Sequence, residues 1–214
     1  MQTLIKKAMM MTLSGLIACN FNTDEYILNQ PFLAGNGLYG YKDGKDQIRI
    51  EAKYEQARNF REEAAAVKLN SKWGIIDKKG KVLINFIYED AQEFNEGWMP
   101  VKKDAKWSFI NRSGSSIAPF QYESVEPFQE GVARVSLKRS DITIPLYGLI
   151  SKTGEQILPC NFISIGDFVG GKALVTEYTS NYLVDYGKSL IAPLLGQRDP
   201  ATYEINKQGQ KISQ

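Results

Sequence analysis

Histidine is absent from this chain of 214 residues. That single absence removes Ser-His-Asp and Cys-His nucleophilic catalysis, together with any zinc site built on imidazole. No charge of one sign dominates either, with 26 Lys and Arg against 24 Asp and Glu. A dedicated nucleic-acid binder needs a concentrated basic stripe to displace counterions from phosphates, so that class is not expected. Long hydrophobic runs are missing: the apolar stretch from Ala8 to Ala18 is too short to cross a bilayer as a helix. There is no glycine-rich phosphate loop. Asp43-Gly44-Lys45-Asp46 and Asp77-Lys78-Lys79-Gly80 lack the alternating oxygen ligands and twelfth-position Glu of a calcium loop, and read as turns. Neither a metal nor a cofactor is expected.

What the N-terminus does have is an address. Lys6 and Lys7 precede the apolar run, and Leu16-Ile17-Ala18-Cys19 follows from it. This end resembles the bacterial lipobox, in which a peptidase cuts before a cysteine that carries diacylglycerol. Residues 1–18 are therefore read as a lipoprotein signal peptide, and Cys19 as the lipidated first residue of the mature chain. Its acyl chains, at about 0.8 kcal/mol per buried methylene, would anchor the protein to a membrane without spanning it. Removing residues 1–18 takes away two lysines and no acid, which leaves 24 basic and 24 acidic residues. With Cys19 acylated, Cys160 has no intrachain partner, and its spacing marks it as a small core hydrophobe. Residues 19–37, with Pro31, Gly35 and Gly37, read as a tether.

From Leu38 onward the chain repeats. Tyr39, Trp73, Trp107 and Tyr147 open four units of one shape; the first two intervals are 34 residues and the third is 40, a six-residue insertion. Tyr54, Tyr88, Tyr122 and Phe162 follow 15 residues after each opener, Phe60, Phe94, Phe128 and Phe168 follow 21 after, and Val67, Val101, Val135 and Val175 follow 28 after. Self-similarity at a period of about 20 to 50 residues marks a repeat protein whose units stabilise one another. The recurring types are aromatic or β-branched and suit a pleated, half-buried surface. Asp77-Lys78-Lys79-Gly80, Asn111-Arg112-Ser113-Gly114 and Ser151-Lys152-Thr153-Gly154 carry a type I turn with glycine free to take the left-handed position. Each unit therefore begins with a hairpin. A third strand is expected near Trp98–Lys102, Ala133–Ser136 and Ala173–Thr176.

The predicted fold class is all-β: tandem hairpin repeats of about 34 residues in an open, solenoid-like array, with propeller-like closure as the competing geometry. Units run near 38–71, 72–105, 106–145 and 146–180, with a degenerate end at 181–214 where Asn181–Gly187 resembles a fifth hairpin and Tyr203–Gly209 offers a further strand and turn. The string Trp73-Gly74-Ile75-Ile76-Asp77-Lys78-Lys79-Gly80-Lys81-Val82, followed by Tyr88-Glu89 and Phe94-Asn95-Glu96-Gly97, resembles the bacterial WG repeat family. Departures are Tyr in place of Trp in units one and four, Ser108 in place of Gly, and Phe162-Ile163 in place of Tyr-Glu. The resemblance implies a secreted or envelope-exposed β-rich protein whose role is binding, and it supplies no catalytic residues.

Carboxylate-only hydrolysis survives the lack of histidine, with Glu62, Glu63, Glu89, Glu93, Glu96, Glu123, Glu126 and Glu130 as the acids to consider. Most of these recur from unit to unit, which points to a structural duty. Recognition is expected instead where the pattern fails: at Trp98, at Lys138 and Arg139 in the insertion from Leu137 to Pro145, and at Tyr178 and Tyr186. The expected function is a non-catalytic, membrane-anchored binding or scaffolding module with an envelope protein as partner, or alternatively a glycan or peptidoglycan receptor. Cys19→Ala is expected to release the protein from membranes and to abolish incorporation of a fatty-acid analogue; persistent labelling would refute the lipid anchor.

Overall fold

A computed structural model describes residues 30–140, 144–178 and 201–212, and every regular element in them is a β-strand. The first sheet holds β1 (Pro31–Leu33), β2 (Tyr39–Lys42) and β3 (Ile48–Tyr54). The second orders β4 (Gln56–Ala57), β5 (Ala64–Leu69), β6 (Lys72–Asp77) and β7 (Val82–Tyr88); the third holds β8 (Asp90–Ala91), β9 (Met99–Lys103) and β10 (Lys106–Ile110). The last runs β11 (Ser124–Val125), β12 (Val132–Lys138), β13 (Pro145–Ser151), β14 (Gln156–Ile165), β15 (Lys172–Glu177) and β16 (Thr202–Asn206). All pairings between these strands are antiparallel. The sheets follow one another as an open array and form no closed barrel.

The hydrogen-bonded sheet is offset from the sequence unit. The third strand of unit one, β5, turns through Asn70 and Ser71 and pairs with the opening strand of unit two, β6. Both turn residues have positive φ (50° and 63°), the two-residue geometry that matches strand twist. Asp104 and Ala105 repeat this between β9 and β10. At its other end each hairpin hands on to the next sheet: β3 runs past Glu55 into β4, which pairs with β5, and β7 runs past Glu89 into β8, which pairs with β9.

Because side chains alternate along a strand, the third strand of each unit feeds two cores. Ala65 and Val67 of β5 pack with Tyr41, Ile50, Tyr54 and Phe60 of their own unit, while Ala64 and Ala66 pack with Trp73, Tyr88 and Phe94 of the next. The three expected columns are core throughout. The Tyr/Phe column is 1–5% exposed, the Phe column at most 8% and the Val column at most 2%. The opener column is less uniform, for Trp73 is buried whereas Tyr39, Trp107 and Tyr147 are half-buried against their clusters.

Two positions explain the conserved shape of the hairpin. A side chain on Gly74 would meet the Phe86 ring at 2.8 Å and the Ile84 carbonyl oxygen at 3.0 Å, because β7 shifts register there and folds Phe86 across the opener. Gly80 sits at φ 78° in the turn, where Asp77 Oδ1 accepts the N–H groups of Lys79 and Lys81, both at 2.9 Å. The same side-chain-to-backbone turn closes at Asp43, Asn111, Ser151 and Asn206.

The structure departs from the sequence expectations in four places. The fold begins before Leu38: Pro31–Leu33, within the stretch read as tether, pairs with β2, a position at a sheet edge where proline's missing N–H does no harm. Unit three keeps its turn, but only isolated bridges, Ile110↔Ser116 and Trp107↔Tyr122, join the two halves of its hairpin. Buried Ser108 fills the place of glycine, its hydroxyl donating to the Ala118 carbonyl at 2.7 Å, and Pro119 withholds an N–H. The insertion is in part an extended hairpin, with Leu137 opposite Leu146 and Lys138 opposite Pro145. Finally, the place beside β15 that an opener should take is held by β16 (Thr202–Asn206), with Val175 opposite Tyr203; Asn181–Gly187 lies outside the described residues. Trp73→Ala is expected to cost roughly 3 to 5 kcal/mol as a buried aromatic truncation, and an unshifted denaturation midpoint would show that this column is not core.

Candidate interaction surfaces

The eight acids considered for hydrolysis are all held by structural partners. Glu62 accepts from the backbone N–H of Gly97 in the next unit (3.1 and 3.0 Å), and Glu96 accepts likewise from Gly131 (2.9 Å). Glu130 pairs with Lys207 at 2.7 Å and so continues the ladder into the last hairpin. Glu89 accepts from Ala105 N at 3.1 Å, as Glu55 does from Ser71 N, which ties each second strand to the tight turn that opens the next unit. Glu123 bonds Lys106, Glu63 bonds Lys78, and Glu126 shares Arg134 with Asp167. Glu93 receives Asn59 Nδ2 at 2.7 Å and Arg61 Nε at 3.2 Å across the unit boundary. Recurrence of these acids therefore reflects one duty repeated: satisfying N–H groups or cations of a neighbouring element.

Cys160 is half-buried against the core formed by Phe109, Tyr122 and Phe128. Burial pushes its thiol up to about 11, so little thiolate is present near neutrality and the sulfur packs without being reactive. Among the described residues no group of three or more Cys, Asp and Glu converges as a metal site would require.

The residues singled out for recognition fall on opposite margins of the array. Lys138 ends β12 and is opposite Pro145; Phe162 is opposite both Tyr147 and Glu177, and Tyr178 N donates to Asn161 O at 2.7 Å. Exposed Lys138 and Arg139 therefore share one margin of the last sheet with half-buried Tyr178. Trp98 lies at the other margin, directly after the Glu96-Gly97 turn and bridged to Asn95. It is half-buried against the core of unit three. Its position is that of Ala64 and Val132, both of which also pack into the following core, so its departure from the pattern is one of size in a stacking role. Cys19 and Tyr186 lie outside the described residues.

Sequence reasoning missed two grooves on the Trp98 margin, formed where successive units meet. One of about 350 Å³ is lined by Arg61, Glu93, Phe94, Asn95 and Pro127. The other, about 470 Å³, lies beside the Glu130-Gly131 turn and includes Ser151, Glu155, Ile157 and Lys207. Arg61 and Asn95 of the first groove belong to the column after each core Phe, which reads Arg61, Asn95, Gln129 and Val169 and so varies where its neighbours repeat; the second groove has no residue from that column.

A family model described as WG containing repeat matches the chain at residues 39–73, 73–107, 107–138 and 147–177. Each match begins at an opening aromatic, and the interval between the last two falls on the insertion. No curated protein matches the chain. Glu96→Ala is expected to destabilise the fold by about 1 to 2 kcal/mol, since it leaves the Gly131 N–H without its charged acceptor. Urea midpoints of Glu96→Ala and Glu96→Gln would check this, and equal midpoints for wild type and Glu96→Ala would remove the ladder from the account.

Proposed function

The chain belongs to the WG repeat family, and on that premise we propose that it is a non-catalytic, lipid-anchored module of the bacterial cell envelope that binds a protein partner. The observation that carries this reading is the division of labour among its polar groups. The eight acids considered for hydrolysis are engaged by backbone N–H groups or cations, with Glu62, Glu93 and Glu96 bonded across unit boundaries, and Lys138 and Arg139 lie on an extended hairpin where the described turns at Asn70-Ser71 and Asp104-Ala105 are tight. An inserted hairpin on a regular array offers charged, specific contacts without disturbing the stack beneath it. Anchorage rests on the lipobox resemblance ending at Cys19, and with export it sets the partner in the envelope.

A glycan receptor would need its aromatic side chains exposed together as a stacking platform. Trp98 and Tyr178 sit on opposite margins, and Trp98 packs into a core, which favours the protein partner. Crosslinking in intact cells with the wild-type chain and a Lys138→Glu, Arg139→Glu variant tests the reading. A discrete set of envelope proteins should be captured by the wild type and its yield should fall roughly tenfold in the variant at equal melting temperature. Equal capture by both chains would overturn it, as would retention of both on purified peptidoglycan with loss on Trp98→Ala.

A further inference from the structure

The second strands β3 and β7 are edges of their sheets, and β7 has β6 as its sole hydrogen-bonded neighbour. Such an edge is a template for another strand, and proteins blunt it with charge or proline. The other units do so. Along the solvent face of β3, Arg49, Glu51 and Lys53 alternate with inward residues, all three exposed. At the middle of these positions unit three has Pro119 and unit four Pro159; at the last they have Gln121 and Asn161. Unit two alone has Leu83, Asn85 and Ile87 there. Leu83 and Ile87 are 42% and 47% exposed, and Val82 beside them is 40% exposed. The register shift against the opener is common to units one, two and four, so it does not distinguish β7. It does leave the residues between Ile84 and Tyr88 out of register with β6.

The segment is also complementary to itself when reversed. Turned antiparallel about Asn85, it sets Leu83 opposite Ile87 of a second copy, Asn85 opposite Asn85, and Lys81 opposite Glu89. All five of these side chains are exposed; Leu83, Asn85 and Ile87 share one face of β7, Lys81 and Glu89 flank it, and Glu89 also accepts from Ala105 N. Cross-strand apolar pairs and opposite charges each favour that register, and a one-residue slip would lose both. A two-fold axis uses the same surface on both partners and closes the assembly at two.

We propose that two copies of this chain associate edge to edge through β7, antiparallel and centred on Asn85. The charge pairs at the two ends select the register, and the Leu83–Ile87 pairs exclude water between them. The test is disulfide trapping of the full chain. Asn85→Cys should give a covalent dimer under mild oxidation, because residue 85 faces its own copy. Leu83→Cys alone should give none beyond the wild-type background, since the two sulfurs would lie about 13 Å apart along the strand, but should give dimer when mixed with Ile87→Cys. Cys19 and Cys160 are common to all these chains, so the difference between them reads the register. In sedimentation velocity the wild type should show concentration-dependent dimer, and Ile87→Lys should raise the dissociation constant at least about tenfold with an unchanged melting curve. A wild type that is monomeric at every concentration, trapping by Leu83→Cys equal to that by Asn85→Cys, or an undiminished dimer in Ile87→Lys would each overturn the proposal.

Discussion

The fold depends on one strand being buried on both faces. In the third strand of each unit, odd and even side chains enter different cores, as Ala65 and Val67 do on one side of β5 and Ala64 and Ala66 on the other. Neither core can form without that strand, so no unit is complete without its neighbour. Small residues suffice at these positions because bulky partners come from both sides: Tyr41, Tyr54 and Phe60 from one, Trp73, Tyr88 and Phe94 from the other. At the last described third strand the same positions hold Lys172, exposed, and Leu174, 56% exposed.

The polar interactions obey the same logic. Glu62 and Glu96 each accept the N–H of the turn glycine one unit on, and Glu130 at the same place pairs with Lys207, so the carboxylates form a second seam beside the apolar one. Charge at one margin is consumed by this bonding, with Arg58 lying 5.0 Å over the Trp73 ring and Arg61 held by Glu93. The hairpin extension at Lys138 and the apolar edge of β7 take no part in this seam.

Much of the fold was legible because it is periodic. Tyr88, Phe94 and Val101 could be assigned to core from spacing alone, since each has counterparts at equal intervals that would not share one residue type by chance. The turns at Asp77, Asn111 and Ser151 were equally legible, because Asx and Ser side chains bond the backbone two residues on whatever the tertiary context. Deviant residues were harder to read. Trp98 breaks the pattern, which points to recognition, yet it packs half-buried at a position that feeds the core of the next unit. Pro31 broke a local pattern too, but proline is tolerated at a sheet edge, and the pairing with β2 is invisible in sequence.

The sequence by itself determined the period, the strand and turn types and the buried columns, because these follow from side-chain alternation and local backbone chemistry repeated four times. Only the tertiary structure decided which unit each strand pairs with, that Lys138 and Tyr178 share a margin while Trp98 lies opposite, and that Glu62, Glu93 and Glu96 are bonded across unit boundaries. The physical reason is that spacing specifies what a residue resembles, whereas partnership depends on the offset between sheet and unit, which comes from two-residue turns that pair each third strand with the opening strand of the next unit.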